Sequence, residues 1–262
     1  MLRKMRTVPY FSFVRACLSF YTWSVVTLAT VLISTMVLLT FPLALFDPQR
    51  RLAHRLGTLW GRLLLGFNPA WRLRVVGLHR IRQDASYVLV ANHSSLADIV
   101  CLFSIGRQFK WLAKRSLFRI PFLGWAMSAM GYIPLERGRY GSIKKSFTEA
   151  LEWLRKDISI LIFPEGTRSR SGEMGHFKSG AFRLAIESQR PIAPIVLAGT
   201  RNVISKGKAA FGGSGVAYLS ILPPIETKGC TVEEEKKLRV KVEGLMQAEL
   251  KKRNRILSRL GR

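Results

Sequence analysis

The sequence predicts a mixed α/β sheet flanked by helices, preceded by a membrane-embedded helical segment. Two observations support this fold class. After residue 66, short apolar runs bounded by turn residues alternate with stretches of helical periodicity, which is typical of strands and helices packed in layers. Before residue 47, a long stretch carries no charged side chain. We therefore predict membrane-embedded and interfacial helices in residues 1–67 and one globular domain in residues 68–262.

The uncharged stretch from Ala16 to Phe46 exceeds the roughly 20 residues that a membrane-spanning helix needs. A signal peptide is the competing interpretation, but the stretch is too long for one and ends without a convincing small-residue cleavage site. Retention in the membrane is therefore favoured. Basic residues flank the stretch on both sides and Pro42 interrupts it, so a single span and a hairpin embedded in one leaflet both remain open.

Residues 50–67 differ in character, because leucines at helical spacing lie beside a row of arginines. Such a helix can lie in the headgroup layer, with its apolar side inserted and its arginines on lipid phosphates. The same leucines also fit packing against the globular domain, and both interpretations can hold. Residues 50–82 contain many arginines and no acid, so the positive-inside rule predicts an inner or cytoplasmic membrane with the globular domain on its cytoplasmic side.

The formal net charge is +26, from 42 Lys and Arg against 16 Asp and Glu, and implies a polyanionic partner. An apolar content of 48% favours anionic membrane lipids over nucleic acid, and no helix-turn-helix, ribonucleoprotein or zinc-finger signature is evident. The three cysteines lack metal-ligand spacing, so we expect no metal site. A non-enzymatic, basic membrane-bound protein remains an alternative, and nothing in the sequence predicts an oligomeric state.

Within the globular domain, the apolar runs predict strands and the periodic stretches predict helices. The strands are expected at residues 71–76, 87–91, 109–113, 132–135, 158–163, 192–197 and 216–221. The helices are expected at residues 95–105, 122–130, 141–155, 180–188 and 232–252.

His93 follows the second predicted strand, and Asp98 comes five residues later. In one continuous helix these side chains would point about 140° apart. They can meet only if His93 lies in the turn before the helix and Asp98 lies in its first turns. Asp98 would then accept a hydrogen bond from Nδ1 of His93 and leave Nε2 free as a base. These are the candidate catalytic residues, and a loop histidine beside a helix-capping aspartate is the alternative.

A second segment, Phe-Pro-Glu-Gly-Thr-Arg, ends the strand predicted at 158–163. Gly166 allows the backbone to approach a ligand, and the guanidinium of Arg168 suits bidentate contact with a phosphate. Because Glu165 would repel a phosphate, we expect it to accept a hydrogen bond from a ligand hydroxyl or to orient a neighbouring basic side chain. Together with Thr167, these residues form a candidate anion-binding loop, and an ordinary polar turn is the alternative.

Two further basic residues, Lys114 and Arg137, also come directly after predicted strands. Strand ends gather at one edge of an α/β sheet, where such sheets carry their functional sites. One sheet edge could therefore hold His93, Lys114, Arg137 and Arg168 together. Cys101 lies in an apolar helical run and is predicted to belong to the core.

In this order and spacing, four segments resemble the motifs of the glycerophospholipid acyltransferase family, and its 1-acylglycerol-3-phosphate acyltransferases in particular. The resemblance covers about residues 75–225 and implies the fold of glycerol-3-phosphate acyltransferases, with an acyltransferase catalytic domain in residues 68–262. The matching positions are His93 and Asp98 for His-x4-Asp, Arg137 for an arginine after a strand, residues 163–169 for Phe-Pro-Glu-Gly-Thr-Arg-Ser, and Pro194 for a proline in an apolar strand.

The resemblance implies transfer of a fatty acyl chain from acyl-CoA or acyl-carrier protein to the sn-2 hydroxyl of 1-acylglycerol-3-phosphate, which gives phosphatidic acid without a cofactor. His93 would remove the hydroxyl proton while Asp98 orients it. The substrate-binding residues would be Lys114, Arg137, Glu165, Gly166, Thr167 and Arg168. The same chemistry on lyso-ornithine lipid, lysophosphatidylglycerol or glycerol-3-phosphate is the alternative.

Overall fold

A computed structural model describes residues 9–68, 71–169, 171–204 and 215–260 of the chain. Its core is a single sheet with helices on both faces. The strands are β1 (Trp71–Val76), β2 (Val88–Ala91), β3 (Phe109–Lys114), β4 (Ile133–Leu135), β5 (Ser159–Ile162), β6 (Ile192–Ala198) and β7 (Gly215–Ile221). The helices are α1 (Pro9–Leu39), α2 (Arg51–Gly66), α3 (Ala97–Leu102), α4 (Leu123–Ala129), α5 (Tyr140–Arg155), α6 (Gly180–Ser188) and α7 (Glu235–Leu260).

The sheet is mixed, as predicted, with the strand order β1-β7-β6-β2-β5-β3-β4. The five strands from β6 to β4 are parallel, whereas β7 runs antiparallel to β6 and β1 runs parallel to β7. The central strands β2 and β6 are buried along their whole length, because helices cover both faces. Their continuous runs of apolar residues made these strands recognisable in the sequence.

Each predicted strand is present, with ends shifted by one residue at most. The helix predicted at 95–105 is shorter, because α3 begins at Ala97 and a 3-10 turn, Phe103–Ile105, replaces its last part. The last helix is longer than predicted and continues to Leu260. Arg253, the first residue of this extension, forms an ion pair with Glu249 one helical turn earlier, and the N and O atoms lie 2.6 Å apart.

Two apolar cores lie on opposite faces of the sheet. One joins the sheet to α3, α4 and the N-terminal helices, and the other joins it to α5, α6 and α7. Ile33 and Val37 of α1 and Ala53 of α2 belong to the first core. The N-terminal helices therefore share a core with the sheet, and the predicted division of the chain at residue 67 stays a prediction.

The helices α1 and α2 form an antiparallel hairpin, in which Trp60 Nε1 donates a hydrogen bond to Thr30 Oγ1 at 3.0 Å. Gly61 allows α2 to approach α3 and the turn that follows it closely, since a Cβ atom there would lie 2.7 Å from Phe103 Cβ. The stretch Ala16–Leu39 of α1 is long and apolar enough to cross a membrane by length and composition, and 17% of its most apolar window is buried.

A buried lysine anchors this hairpin to the amino-terminal end of the sheet. Lys110, the second residue of β3, donates from Nζ to the carbonyl oxygens of Gln49 at 2.9 Å and Met130 at 2.7 Å. Its Nζ also lies 4.5 Å from the ring centroid of Trp153. Burial lowers the pKa of Lys110 to about 7. The end of α4 and the turn after α1 are thereby held at the edge where β3 begins.

Candidate active site

The strands β2, β5, β3 and β4 are adjacent and parallel, so their carboxyl ends form one edge of the sheet. Three of the basic candidates follow these strands and Lys114 ends β3, in the spatial order His93, Arg168, Lys114, Arg137. With strands about 4.8 Å apart, the strand before Lys114 lies ~10 Å from that before His93, and the strand before Arg137 lies ~14 Å away. The four strand ends lie at one edge of the sheet, as predicted, and the strand before Arg168 is the neighbour of the strand before His93.

His93 lies in the turn between β2 and α3, and Asp98 lies in the first turn of α3. Nδ1 of His93 lies 2.8 Å from Oδ2 of Asp98, as the spacing predicted. The same oxygen accepts the backbone N–H groups of Ser94 at 2.7 Å and Ser95 at 2.8 Å. Because Asp98 is fully buried and accepts hydrogen bonds, Nδ1 carries the proton and Nε2 retains its lone pair.

Residues 163–169 contact His93 at three groups: its ring, its backbone N–H and its carbonyl oxygen. The ring of Phe163 stacks on the imidazole, with centroids 4.1 Å apart. Oε1 of Glu165 accepts the backbone N–H of His93 at 2.7 Å, and the N–H of Ser169 donates to the carbonyl oxygen of His93 at 2.8 Å. The two candidate segments are therefore one unit, in which the second segment orients the first.

Glu165 has two backbone partners in the structure, where the sequence predicted a ligand hydroxyl or a basic side chain. Besides the N–H of His93, its carboxylate accepts the N–H of Gly175 at Oε2 over 2.9 Å. Burial raises the pKa of Glu165 to about 7, although both N–H donors oppose this shift. The carboxylates of Asp98 and Glu243 raise the pKa further. Glu165 thus joins the histidine turn to the segment that follows the anion-binding loop.

Gly166 has a φ of 74°, in the left-handed region that favours glycine. A Cβ atom at this position would lie 3.2 Å from both Cε and Nζ of Lys178. The ammonium group of Lys178 therefore lies directly over the loop backbone. Thr167 is exposed and Arg168 is partly buried in the same loop. The anion-binding loop therefore carries the cationic side chain of Arg168 and is covered by that of Lys178, close to the turn that holds His93.

Sequence reasoning missed the contacts of three residues that shape this site. Asn92 pairs with the backbone of Leu197 in β6, donating to its oxygen at 3.0 Å and accepting from its nitrogen at 2.8 Å. Ser169 binds the backbone of His93, and Lys178 covers Gly166. An asparagine directly before His93 and a lysine shortly after the loop are visible in the sequence, but neither indicates its partner.

An apolar cavity of about 70 Å³ lies behind the site, between the N-terminal hairpin and α4. Trp111 and Tyr132 line one side of the cavity. The ring centroid of Trp111 lies 6.1 Å from that of Phe163, which stacks on His93. Cys101 is buried as predicted, and burial raises the pKa of its thiol. Within the described residues, no group of three or more His, Cys, Asp or Glu side chains has the arrangement of a metal site.

Residues 72–198 match the family model described as acyltransferase. The chain is 37% identical to the Arabidopsis thaliana chloroplastic 1-acyl-sn-glycerol-3-phosphate acyltransferase over 75% of this chain and 55% of that protein. It is 35% identical to the Saccharomyces cerevisiae 1-acyl-sn-glycerol-3-phosphate acyltransferase over 72% of this chain and 62% of that protein. The matches thus span between half and two thirds of the length of these relatives.

The crystal structure of the 1-acyl-sn-glycerophosphate acyltransferase PlsC from Thermotoga maritima is similar over nearly the whole chain. The similarity has a TM-score of 0.80 at 27% sequence identity, and it covers 93% of this chain and 97% of that one. The family model, the names of the relatives and this structure agree with the family that the four motifs indicated. Residues 72–198 of this chain therefore belong to the acyltransferase family.

Proposed function

We propose that this chain is a membrane-bound acyltransferase that moves a fatty acyl chain from a thioester to the sn-2 hydroxyl of 1-acylglycerol-3-phosphate, giving phosphatidic acid. One observation carries the proposal: Nδ1 of His93 is bonded to the buried Asp98, beside a loop with two cationic side chains. This arrangement suits a base next to an anion site. The names of the relatives, which are 1-acylglycerol-3-phosphate acyltransferases, support the same reaction.

In the proposed reaction, Nε2 of His93 removes the proton from the acceptor hydroxyl while its oxygen attacks the thioester carbonyl carbon. The new C–O bond forms, the C–S bond breaks, and the leaving thiolate takes the proton from the imidazolium. Asp98 stabilises the imidazolium, and its fixed position keeps Nε2 directed at the acceptor. No acyl-enzyme forms, and the proton returned to sulfur regenerates the neutral imidazole.

The acceptor phosphate is proposed to bind Arg168 and Lys178 above Gly166. Arg168 offers a planar, bidentate donor pair, and Lys178 adds a point charge over the loop backbone. Lys114 and Arg137 lie farther along the same edge and add positive potential for an approaching anionic lipid. When the phosphate is bound, the sn-2 hydroxyl lies next to His93. The binding energy of the phosphate thereby orients the hydroxyl toward the base.

The acyl donor is proposed to be acyl-CoA or acyl-carrier protein, with part of its chain in the cavity lined by Trp111. The lining of this cavity is almost entirely apolar, and its Trp111 lies 6.1 Å from the ring that stacks on His93. At about 70 Å³ the cavity has room for a few methylene groups of the chain. No other cofactor is required by this chemistry.

Membrane attachment is proposed to rest on α1 and α2, with anionic lipids as partners and the catalytic domain on the cytoplasmic side of an inner or cytoplasmic membrane. The net charge of +26 and the exposed apolar side chains of α1 support this location. Alkaline carbonate extraction of membranes that contain the full chain tests the attachment. An embedded protein stays in the pellet, whereas release into the supernatant would contradict it.

A panel of acceptors and both thioester donors tests the reaction. Purified full-length protein in phospholipid vesicles should release free thiol and form phosphatidic acid with 1-acylglycerol-3-phosphate. It should use this acceptor with a higher kcat/KM than lyso-ornithine lipid, lysophosphatidylglycerol or glycerol-3-phosphate. A higher kcat/KM for another acceptor would correct the substrate, and no thiol release with any pair would favour a non-enzymatic lipid-binding protein.

A further inference from the structure

Three large apolar side chains are exposed on the loop after β3 and on the first turn of α4. Ile120 is 43% exposed, Phe122 is 38% exposed and Trp125 is 52% exposed. The rings of Phe122 and Trp125 lie against each other, with centroids 5.5 Å apart. Single exposed apolar residues need no explanation, but an exposed aromatic pair beside an isoleucine is an apolar patch of the kind that marks an interaction surface.

The backbone of Phe122, within this patch, is strained. Phe122 has φ of 60° and ψ of −63°, and the N–H of Leu123 donates to the carbonyl oxygen of Pro121 at 2.7 Å. These are the features of the strained γ-turn, which is rare for any residue other than glycine. Gly124 then packs against the backbone of Phe118, where a Cβ atom would lie 2.3 Å from the carbonyl oxygen. A strained turn that holds an aromatic ring in solvent indicates a functional constraint.

The patch lies at the edge of the sheet that holds His93. Because β3 and β4 are parallel, α4 must begin at the carboxyl end of β3 and return to the opposite edge. Lys110 confirms this direction, since it binds the carbonyl oxygen of Met130 near the start of β3. Ile120, Phe122 and Trp125 precede or begin α4, and they therefore lie beside the candidate active site.

The apolar part of α1 projects from the same edge. The turn after α1 is held at the opposite edge by the contact between Gln49 and Lys110. Thr30 and Ile33 face α4 across the shared cavity, so the preceding residues, Ala16–Ala29, extend past the first turn of α4. At 1.5 Å per residue this projection is ~20 Å long. A bilayer that takes up this part of α1 would bring its headgroup layer to the level of the patch.

The charges around the patch favour an anionic surface. Residues 114–135 contain no acid, and Lys114, Arg115 and Arg119 are exposed. One acid lies nearby, because Glu136 is 3.9 Å from Arg115 and 3.3 Å from Arg139. The cations outnumber it, so the local charge is positive. Basic side chains next to exposed Trp, Phe and Ile are the composition of a segment that lies in the lipid interface.

We propose that residues 115–125 form a membrane-contacting segment separate from the N-terminal hairpin. In this segment Ile120, Phe122 and Trp125 enter the interfacial layer of an anionic phospholipid bilayer, while Arg115 and Arg119 contact lipid phosphates. The segment would hold the sheet edge with His93 against the bilayer. It goes beyond the proposed reaction, since the contact with the bilayer does not depend on which acceptor is acylated.

Trp125 provides its own probe. The full chain is reconstituted into phosphatidylcholine and phosphatidylglycerol vesicles, with or without phosphatidylcholine brominated near the carbonyl end of its chains. The fluorescence difference between wild type and Trp125→Phe isolates the emission of Trp125. We expect brominated lipid to reduce this emission about twofold or more, because an interfacial indole lies at that depth. Trp153, at the opposite edge of the sheet, provides the control. The fluorescence difference between wild type and Trp153→Phe should be the same with and without brominated lipid.

An unquenched Trp125 would overturn the proposal. If aqueous acrylamide quenches it and brominated lipid does not, the patch faces water. If neither quenches it, another protein or a second copy of this chain covers the patch. Neither readout involves activity, so this failure is distinct from a failure of the proposed reaction.

The charges are tested separately with two variants of Arg119. Arg119→Glu should lose at least about half of the quenching of Trp125 by brominated lipid, because like charge repels the anionic bilayer. Arg119→Lys keeps the charge and should retain wild-type quenching. Equal quenching in both variants would show that Arg119 does not contact lipid phosphates, and the charge part of the proposal would be wrong.

Discussion

The carboxylate of Glu165 accepts the backbone N–H of His93 at 2.7 Å, although 72 residues separate them in the chain. This contact links the two segments that the sequence singled out. The stacked ring of Phe163 and the N–H of Ser169 hold the same histidine from two further directions. The loop proposed to bind the acceptor phosphate therefore also fixes the proposed base, so that acceptor binding and base position are coupled.

Glu165 should make the stability of the protein depend on pH. Its pKa is raised from 4.5 to about 7, so the native state binds this proton more tightly than the unfolded chain does. The free energy of unfolding that this tighter proton binding contributes is fully present below about pH 4.5, and it is lost as the pH rises to about 7. It amounts to about 3 kcal/mol at most, from 1.36 kcal/mol per pKa unit.

Glu165→Gln removes this titration and provides the measurement. We expect the thermal midpoint of the variant in detergent to improve relative to wild type as the pH is raised from 4.5 to 7. The difference between the two proteins should then stay constant at higher pH. A difference that is constant across the whole range would mean that Glu165 does not titrate there.

Asp98→Asn should lower kcat while the fold is retained. An amide oxygen can still accept the backbone N–H groups of Ser94 and Ser95, but the amide lacks the negative charge that stabilises an imidazolium. We expect kcat for phosphatidic acid formation to fall about 10²- to 10⁴-fold, with a thermal midpoint close to wild type. A variant that keeps most of its kcat would show that Asp98 only caps α3.

Gly166→Ala should weaken acceptor binding. The new Cβ atom would require a left-handed backbone and would push Lys178 away from the loop. We expect the KM for 1-acylglycerol-3-phosphate to rise about tenfold, the loss of roughly 1.4 kcal/mol of binding. Gly229→Ala is the matched control, since Gly229 also has a positive φ but has open space around it. Equal effects in both variants would attribute the change to backbone strain alone.

Arg168 and Lys178 should act on the same phosphate. We expect Arg168→Ala and Lys178→Met each to raise the acceptor KM about tenfold or more, because each removes a charged hydrogen bond. The KM for the acyl donor should change little. Arg155→Ala, on an exposed side chain at the far end of α5, controls for loss of charge alone. An unchanged acceptor KM in the Lys178 variant would remove it from the proposed phosphate site.

The strands and the histidine–aspartate contact could be predicted because both are local. Runs such as residues 87–91 and 192–197 are apolar throughout, and buried parallel strands have this pattern. The angle between residues five apart in a helix required His93 to precede α3, and the structure has it there. Neither prediction requires knowledge of which strands are neighbours.

The contacts made across strands could not be predicted, because they depend on strand order. Asn92 binds Leu197 only because β6 lies next to β2, and Glu165 reaches His93 only because β5 lies on the other side. A ligand hydroxyl or a basic side chain was expected as the hydrogen-bond donor to Glu165, whereas its donors in the structure are backbone N–H groups. Lys178 was missed because it comes twelve positions after Gly166 and approaches it through the fold of the intervening loop.

The central claim is that His93 removes a proton from the acceptor hydroxyl. The most direct measurement compares thiol release by wild type, His93→Ala and His79→Ala with 1-acylglycerol-3-phosphate and an acyl thioester. His79 is exposed and lies outside the site, so its variant should match wild type. We expect His93→Ala to lower kcat at least about a hundredfold. If His93→Ala releases thiol at the wild-type rate, His93 is not the base and the proposed mechanism is wrong.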